Sequence, residues 1–333
     1  SAGLESLIAC AGSAENAAKI AASTGVRRRR IAPPSLCASD LCERAALELL
    51  ATLDWPRDSL DALVVVTQTP DYIQPSTACV LHGKLGLPKK AAALDINLGC
   101  SGYVYGLWTA MALLSALRRG RALLLAGDTM SRLVSPMDRT SAPLFGDAGS
   151  ATAVEFVPGA GAAHFNLGTD GSGWRHLMVP AGGFRRPKSP ETGVRVRDAD
   201  GNERCDEDFR MNGLEVFSFM MREVPPVIRA VVEASGLGMD RIERFVLHQA
   251  NEFILRNLAR KIGIPEAKLV LALRDYGNTS CASIPLALAD AAGQGPAGAV
   301  VLAGFGVGLS WGAVQLDLRG ARILPPVPVE TPA

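Results

Sequence analysis

Two α/β halves of like topology, packed face to face, are what this sequence predicts, on three observations. The chain has 333 residues, too long for one small domain and suited to two domains or one large α/β unit. Continuous apolar runs such as Leu63-Val64-Val65-Val66-Thr67 have the character of strands buried on both faces of a parallel sheet. A plan repeats: Cys100 and Asn278 each stand just before a helical segment, and each segment leads to a matching strand, Leu123-Leu124-Leu125-Ala126-Gly127-Asp128 or Val300-Val301-Leu302-Ala303-Gly304-Phe305.

In order, residues 63–67 form the first strong strand, 78–85 a helix, 92–96 a strand, 101–117 a long helix ending at Arg118-Arg119-Gly120, and 122–127 a strand. In the second half, 245–247 is a strand, 253–262 and 283–292 are helices, and 299–304 is a strand. The division expected is an N-terminal half over 1–160, a C-terminal half over 161–320 and a Pro-rich tail over 321–333. Between the halves, residues 184–209 are dense in charge, Pro and Gly and are expected to loop over the surface. The tail, with Pro325, Pro326, Pro328 and Pro332, is expected to be extended or frayed.

Apolar residues make up 48%, charged 20% and aromatic 5%, and the formal net charge is +1. That balance describes a soluble core of Ala, Leu and Val and gives no global reason to expect nucleic acid or a membrane as partner. Seven cysteines without a CxxC pair fit a reducing cytoplasm better than secretion. No apolar segment reaches the roughly 20 residues that span a bilayer. His82, His164 and His176 lack metal-ligand spacing, so no metal is expected.

The chemistry-bearing segments are Asn97-Leu98-Gly99-Cys100-Ser101-Gly102, Val246-Leu247-His248-Gln249-Ala250-Asn251 and Tyr276-Gly277-Asn278-Thr279-Ser280. Singly, each has an ordinary reading: a small buried Cys, a core His, an Asn in a turn or cap. Together they supply the thiol, imidazole and amide that acyl chemistry at sulfur uses. Cys100 at a helix N-terminus is expected to have a lowered thiol pKa. The glycines of Phe305-Gly306-Val307-Gly308 lack the Lys-Ser/Thr ending of a phosphate loop and are read as tight turns.

With Gly99-Cys100-Ser101-Gly102, His248-Gln249-Ala250-Asn251, Gly277-Asn278-Thr279-Ser280 and Phe305-Gly306-Val307-Gly308-Leu309-Ser310-Trp311-Gly312 in this order, the chain resembles the β-ketoacyl-acyl carrier protein synthase III family. Thr24-Gly25-Val26-Arg27, Asp138-Arg139 and Phe145-Gly146-Asp147-Ala148-Gly149 extend the likeness from about residue 4 to 316. The resemblance implies a thiolase-like, five-layered αβαβα fold and a homodimer. The activity implied is decarboxylative condensation of an acyl thioester, carried on Cys100, with malonyl-acyl carrier protein. It assigns His248 and Asn278 as oxyanion donors for decarboxylation, the backbone amides of Cys100 and Val307 as a second oxyanion hole, and Phe305 as a shield of the pocket. No cofactor is bound permanently; acyl-coenzyme A or acyl-carrier protein thioesters are the substrates. Arg222, Arg256, Arg260 and Lys261 fall where the family docks its acidic carrier protein, and a solvated basic face is the alternative.

Several positions depart from the pattern. Phe253 stands where an Arg is common. Gln74 replaces a Phe in a segment expected near the two-fold axis, reaching the partner's acyl pocket, so a pocket of different depth or polarity is expected. Lys19 and Ser23 stand where a Trp and an Arg sandwich the adenine of coenzyme A; Lys19 and Arg139 are expected to compensate in part through phosphate contacts. The family opens with a strand, and none precedes Leu4-Glu5-Ser6-Leu7; either residues once present are missing from this sequence or another segment fills the gap. The resemblance leaves two other activities open: acyl transfer to an alcohol or amine, which Asn278 argues against, and a non-catalytic subunit that only binds a carrier protein.

Overall fold

The structure, a computed structural model, describes Ile8, Ala11, residues 13–295 and residues 298–329. Residues 4–7, Cys10 and Pro332 lie outside these. Helix α1 (Ala14–Thr24) starts at Ser13, whose hydroxyl accepts from the Asn16 amide, and stops at Gly25 in the left-handed conformation. Helix α2 (Ala38–Leu53) follows.

The first sheet comprises β1 (Leu60–Val66), β2 (Ala92–Ile96), β3 (Arg121–Thr129) and β4 (Asp147–Glu155), in the order β2-β1-β3-β4, with β4 alone antiparallel. Helices α3 (Thr77–Lys84) and α4 (Gly102–Leu117) connect its parallel strands. Strand period sorts the side chains by layer. Leu63, Val65, Leu123 and Leu125 face α2 and α3, while Ala62, Val64, Val66, Leu124 and Ala126 face α4. Each fully buried Leu or Val contributes roughly 1.5–3 kcal/mol.

The second half repeats the plan. Its sheet comprises β5 (His164–Thr169), β10 (Arg244–Leu247), β11 (Ala299–Gly306) and β12 (Ser310–Asp317), in the order β10-β11-β12-β5. Helices α5 (Gly213–Ala234) and α6 (Glu252–Ile262) cover the outer face, against Phe245, Val301, Ala303 and Phe305. After the short α7 (Leu273–Tyr276), α8 (Ser283–Asp290) lies beside α4 in the middle layer, packed on Val246, Val300 and Leu302. The layers are therefore helix, sheet, helix, sheet, helix, a thiolase-like arrangement with a core that continues through both halves.

Strands β1, β3 and β4 match β10, β11 and β12. Strand β5, the second half's counterpart of the opening strand expected in this family, lies at a sheet edge on β12. Among the described residues no strand covers the outer edge of β4, whose residues 148–153 are half-buried.

Residues 184–209 are more built than a surface loop. Strands β7 (Val196–Arg197) and β8 (Glu203–Arg204) pair with each other, and β6 (Leu177–Met178) with β9 (Arg210–Met211). Arg186–Asp206, Lys188–Glu207 and Arg195–Asp208 ion pairs tie the segment down, and Thr192, Asn202 and Phe209 are buried. The charge-rich composition is spent on internal pairing, and Phe209 is carried into a pocket. Among the described residues no helix is long and apolar enough to cross a membrane.

Candidate active site

Cys100, His248 and Asn278 line one pocket. Cys100 follows β2 and immediately precedes Ser101, the N-cap of α4. Ser101 is buried, and its hydroxyl meets that of Ser310 at 2.6 Å, fastening the turn to β12. Strand β11 passes directly behind the sulfur. A Cβ on Gly306 would lie 3.0 Å from Cys100 Sγ, and one on Gly304 2.6 Å from the Cys100 carbonyl oxygen, so both positions require glycine for close approach.

The thiol does not have the lowered pKa expected from its sequence position. Burial pushes it up to about 12, a negative charge on the neighbouring Asp128 carboxyl would push the same way, and the Ser280 side chain and the backbone amides of Val307 and Cys100 only partly oppose burial. Desolvation outweighs the helix end because Cys100 stands in an apolar chamber walled by Met130, Phe145, Phe209, Met220 and Phe305.

His248 follows β10, its amide donating to the Ala303 carbonyl at 2.8 Å. The ring is buried and meets Phe305 edge-on, with centroids 5.7 Å apart. Burial pushes its pKa down to about 3, the Ser280 backbone pulling weakly the other way, so the imidazole is neutral. Nδ1 lies 2.7 Å from the Ser283 hydroxyl, whose oxygen also accepts from the Gln249 amide at 3.5 Å. With that hydroxyl donating to Nδ1, the proton of the neutral ring is on Nε2.

Asn278 is held by the other half of the molecule. Its amide donates to the Leu144 carbonyl at 2.7 Å, its carbonyl accepts from Gly146 at 3.0 Å, and its Oδ1 accepts from the Ser280 amide at 2.9 Å. That leaves Nδ2 as the free donor. The site thus offers a neutral thiol, an imidazole and an amide with donors to spare, and two backbone amides at the sulfur.

Of the other expected residues, Phe305 and Val307 line the pocket. Gln74 does not; it is exposed, in a loop with exposed Tyr72 and Ile73. Lys19 is exposed and paired with Glu15, and Arg139 lies against Gly201 with its amide donating to Asn202. A second, separate cleft is lined by Arg27, Arg274 and Glu252. Arg256 is held by Glu252 and Glu266, and Arg222 by Glu223. Arg260 and Lys261 have no ion-pair partner among the described residues. Phe253 stacks on Phe217, centroids 6.0 Å apart. Sequence reasoning missed Ser283 and Arg274. Ser283 stands five residues after Asn278, close enough in the chain to have been weighed as a partner of the same site.

The layered fold and a Cys, His and Asn pocket shared between halves define a thiolase-like protein that works at sulfur. Comparison with known proteins narrows the class. Residues 94–171 match the family profile described as 3-oxoacyl-[acyl-carrier-protein] synthase III, and residues 232–318 match its C-terminal profile. The chain is 37% identical over 307 residues to a β-ketoacyl-[acyl-carrier-protein] synthase III of Desulfitobacterium hafniense, covering 90% of each. Against a 3-oxoacyl-(acyl-carrier protein) synthase of Burkholderia xenovorans the TM-score is 0.88 at 40% identity, over 95% of this chain and 89% of the other. Against the priming β-ketosynthase of the R1128 polyketide pathway the TM-score is 0.80 at 28% identity, over 98% and 93%. The chain belongs to the β-ketoacyl-[acyl-carrier-protein] synthase III family.

Proposed function

We propose that this protein is a condensing acyltransferase that loads an acyl group onto Cys100 and joins it to malonyl-acyl carrier protein, giving a 3-oxoacyl-acyl carrier protein. The observation that carries this reading is the meeting of Cys100, His248 and Asn278 in one apolar chamber of a chain in this family. In the first step the Cys100 sulfur attacks the donor thioester carbon, and the departing thiolate takes up the proton that Cys100 loses. Loss of CO₂ from the malonyl group leaves its electron pair as an enolate, whose oxygen receives hydrogen bonds from His248 Nε2 and Asn278 Nδ2. The enolate carbon then attacks acyl-Cys100. The tetrahedral oxyanion sits against the amides of Cys100 and Val307, and collapse expels the Cys100 thiolate. A neutral, buried imidazole suits this chemistry, which needs a hydrogen-bond donor at the enolate rather than a strong base.

The remaining assignments follow the same reading. The working unit is a homodimer in which Gln74 reaches the partner's acyl pocket. Arg260 and Lys261 dock the acidic carrier protein, with smaller parts for the ion-paired Arg222 and Arg256. Lys19 and Arg139 contact the coenzyme A or carrier arm weakly, so pantetheine-dominated donors are used efficiently. Acyl-coenzyme A and acyl-carrier protein are substrates, and the protein needs no resident cofactor. The six described cysteines are all free, which suits a reducing cytoplasm.

The test is intact-protein mass after incubation with a panel of acyl thioesters, followed by addition of malonyl-acyl carrier protein. The expected result is an acyl adduct on Cys100 that is consumed with release of CO₂. An adduct consumed only by alcohols or amines would replace condensation with simple acyl transfer, and no adduct with any donor would reduce the chain to a carrier-binding role.

A further inference from the structure

Two polar groups beside Cys100 have no task in the steps above. One is the carboxyl of Asp128, near the end of β3, which is 0% exposed. Its Oδ1 accepts three hydrogen bonds, from the Thr67 hydroxyl at 3.1 Å, the Gln68 amide at 2.7 Å and the Thr69 hydroxyl at 3.2 Å. Its Oδ2 is sealed from solvent and has no partner in full hydrogen-bond geometry. Besides Thr67, the side chains facing the carboxyl include Ser280 and Cys281. The other group is the Ser280 hydroxyl. Ser280 is 2% exposed, has φ of 52°, and lines the pocket with its side chain facing both Asp128 and Cys100.

Donor and acceptor counting fixes a direction. A carboxyl sealed from water without an ion-pair partner favours its protonated form, and burial does push this acid upward. Three donors already occupy Oδ1, so the proton belongs on Oδ2, which must give it to an acceptor. The Cys281 thiol donates to the Val66 carbonyl at 3.3 Å, and its sulfur is a weak acceptor. The Ser280 oxygen is the stronger acceptor, and once it accepts from Asp128 its own hydrogen is left for the Cys100 sulfur.

We infer that Ser280 is a further catalytic residue, donating a hydrogen bond to the Cys100 sulfur, and that Asp128 is the positioning residue that aims it. The chain runs one way, from Asp128 to Ser280 to Cys100. No proton is transferred along it, and no covalent bond is made or broken. Its effect falls where the sulfur carries negative charge, as Cys100 attacks the donor and again as it is expelled after condensation. It thereby offsets part of the desolvation that holds this thiol protonated. The inference rests on Cys100 being the acyl-carrying nucleophile. The titratable groups facing Cys100 are Asp128, Cys281 and His248; Cys42, itself beside Asp71, also faces Asp128.

The test follows alkylation of Cys100 by iodoacetamide across pH on the intact enzyme, with mass spectrometry placing the label, beside single-turnover acylation. Ser280→Ala should move the alkylation curve to higher pH and slow acylation about tenfold, the scale of one hydrogen bond to a charged group. Asp128→Asn keeps an N–H donor on the same side and should leave the curve at its parental place. Asp128→Ala should reproduce Ser280→Ala, and the double variant should be no worse than either. An unmoved curve in Ser280→Ala overturns the inference, and so does an Asp128→Asn variant displaced as far as Asp128→Ala. Should Asp128→Ala fail to fold, the contrast between Asp128→Asn and Ser280→Ala still decides. Alkylation reads the sulfur whether or not the enzyme condenses carbon, so failure of the condensation reading would show separately.

Discussion

Strands β3 and β11 occupy matching places in their sheets, yet one carries Asp128 where the other carries Phe305. Both residues are buried to within 1%, and each stands beside one half of the reacting constellation. Asp128 lies on the sulfur side, while Phe305 meets the His248 ring edge-on. The repeated topology places two strand ends near one chamber, and what each end does is set by a few side chains. The N-terminal half supplies the nucleophile and Asp128 beside it; the C-terminal half supplies Ser280, donors for charge on oxygen and glycines that let β11 pass behind the thiol.

If the halves divide the work in this way, deleting the nucleophile has the largest effect. Cys100→Ala should abolish the acyl adduct seen by intact mass, and condensation with it. His248→Ala and Asn278→Ala should keep the adduct but lose malonyl decarboxylation by ~10²–10³ in rate, measured as CO₂ release. Either variant decarboxylating at the parental rate would break the division. A smaller loss, about tenfold, is expected for Ser283→Ala, since neutral His248 would no longer be held with its proton on Nε2. The loss should appear in decarboxylation and not in acylation.

The smallest effect is on stability. His248 has a folded pKa of about 3, below its unfolded value of about 6.5. Between these values the unfolded chain binds the proton and the folded chain does not. The contribution is therefore fully present above pH 6.5 and falls as pH drops towards 3. His248→Gln should lose thermal midpoint less steeply than the parent between pH 6.5 and 4.5; parallel curves would show that the imidazole titrates alike in both states.

Much of this was legible in the sequence because the signals were local and periodic. The run at 92–96 is β2, and the expected helix at 101–117 differs from α4 by one residue. The motifs around Cys100 and His248 stand out because each lies at the end of an apolar run, and that around Asn278 because it stands just before a helical segment. The misses have a physical pattern. The thiol's raised pKa depends on Met130, Phe209 and Met220, residues from distant segments whose convergence no spacing reveals. Likewise, the charge of residues 184–209 reads as solvation until Asp206, Glu207 and Asp208 are seen to pair with Arg186, Lys188 and Arg195. Arg256 reads from the sequence as a docking or solvated cation, while Glu252 and Glu266 hold it.

Asn278 belongs to the second half, yet its backbone is bonded on both sides to Leu144 and Gly146 of the first. Neither half can therefore set the amide by itself. During refolding, the first sheet can gather its own helices from contacts closer in sequence, but the seam at Asn278, like the β5–β12 pairing of the second sheet, closes only when chain separated by more than a hundred residues comes together, at a cost in loop entropy. Recovery of condensing activity thus reports the last docking of the two halves, and it should trail the return of helical signal. A chain stalled before that seam closes would still carry its thiol, with no amide in place to use what the thiol holds.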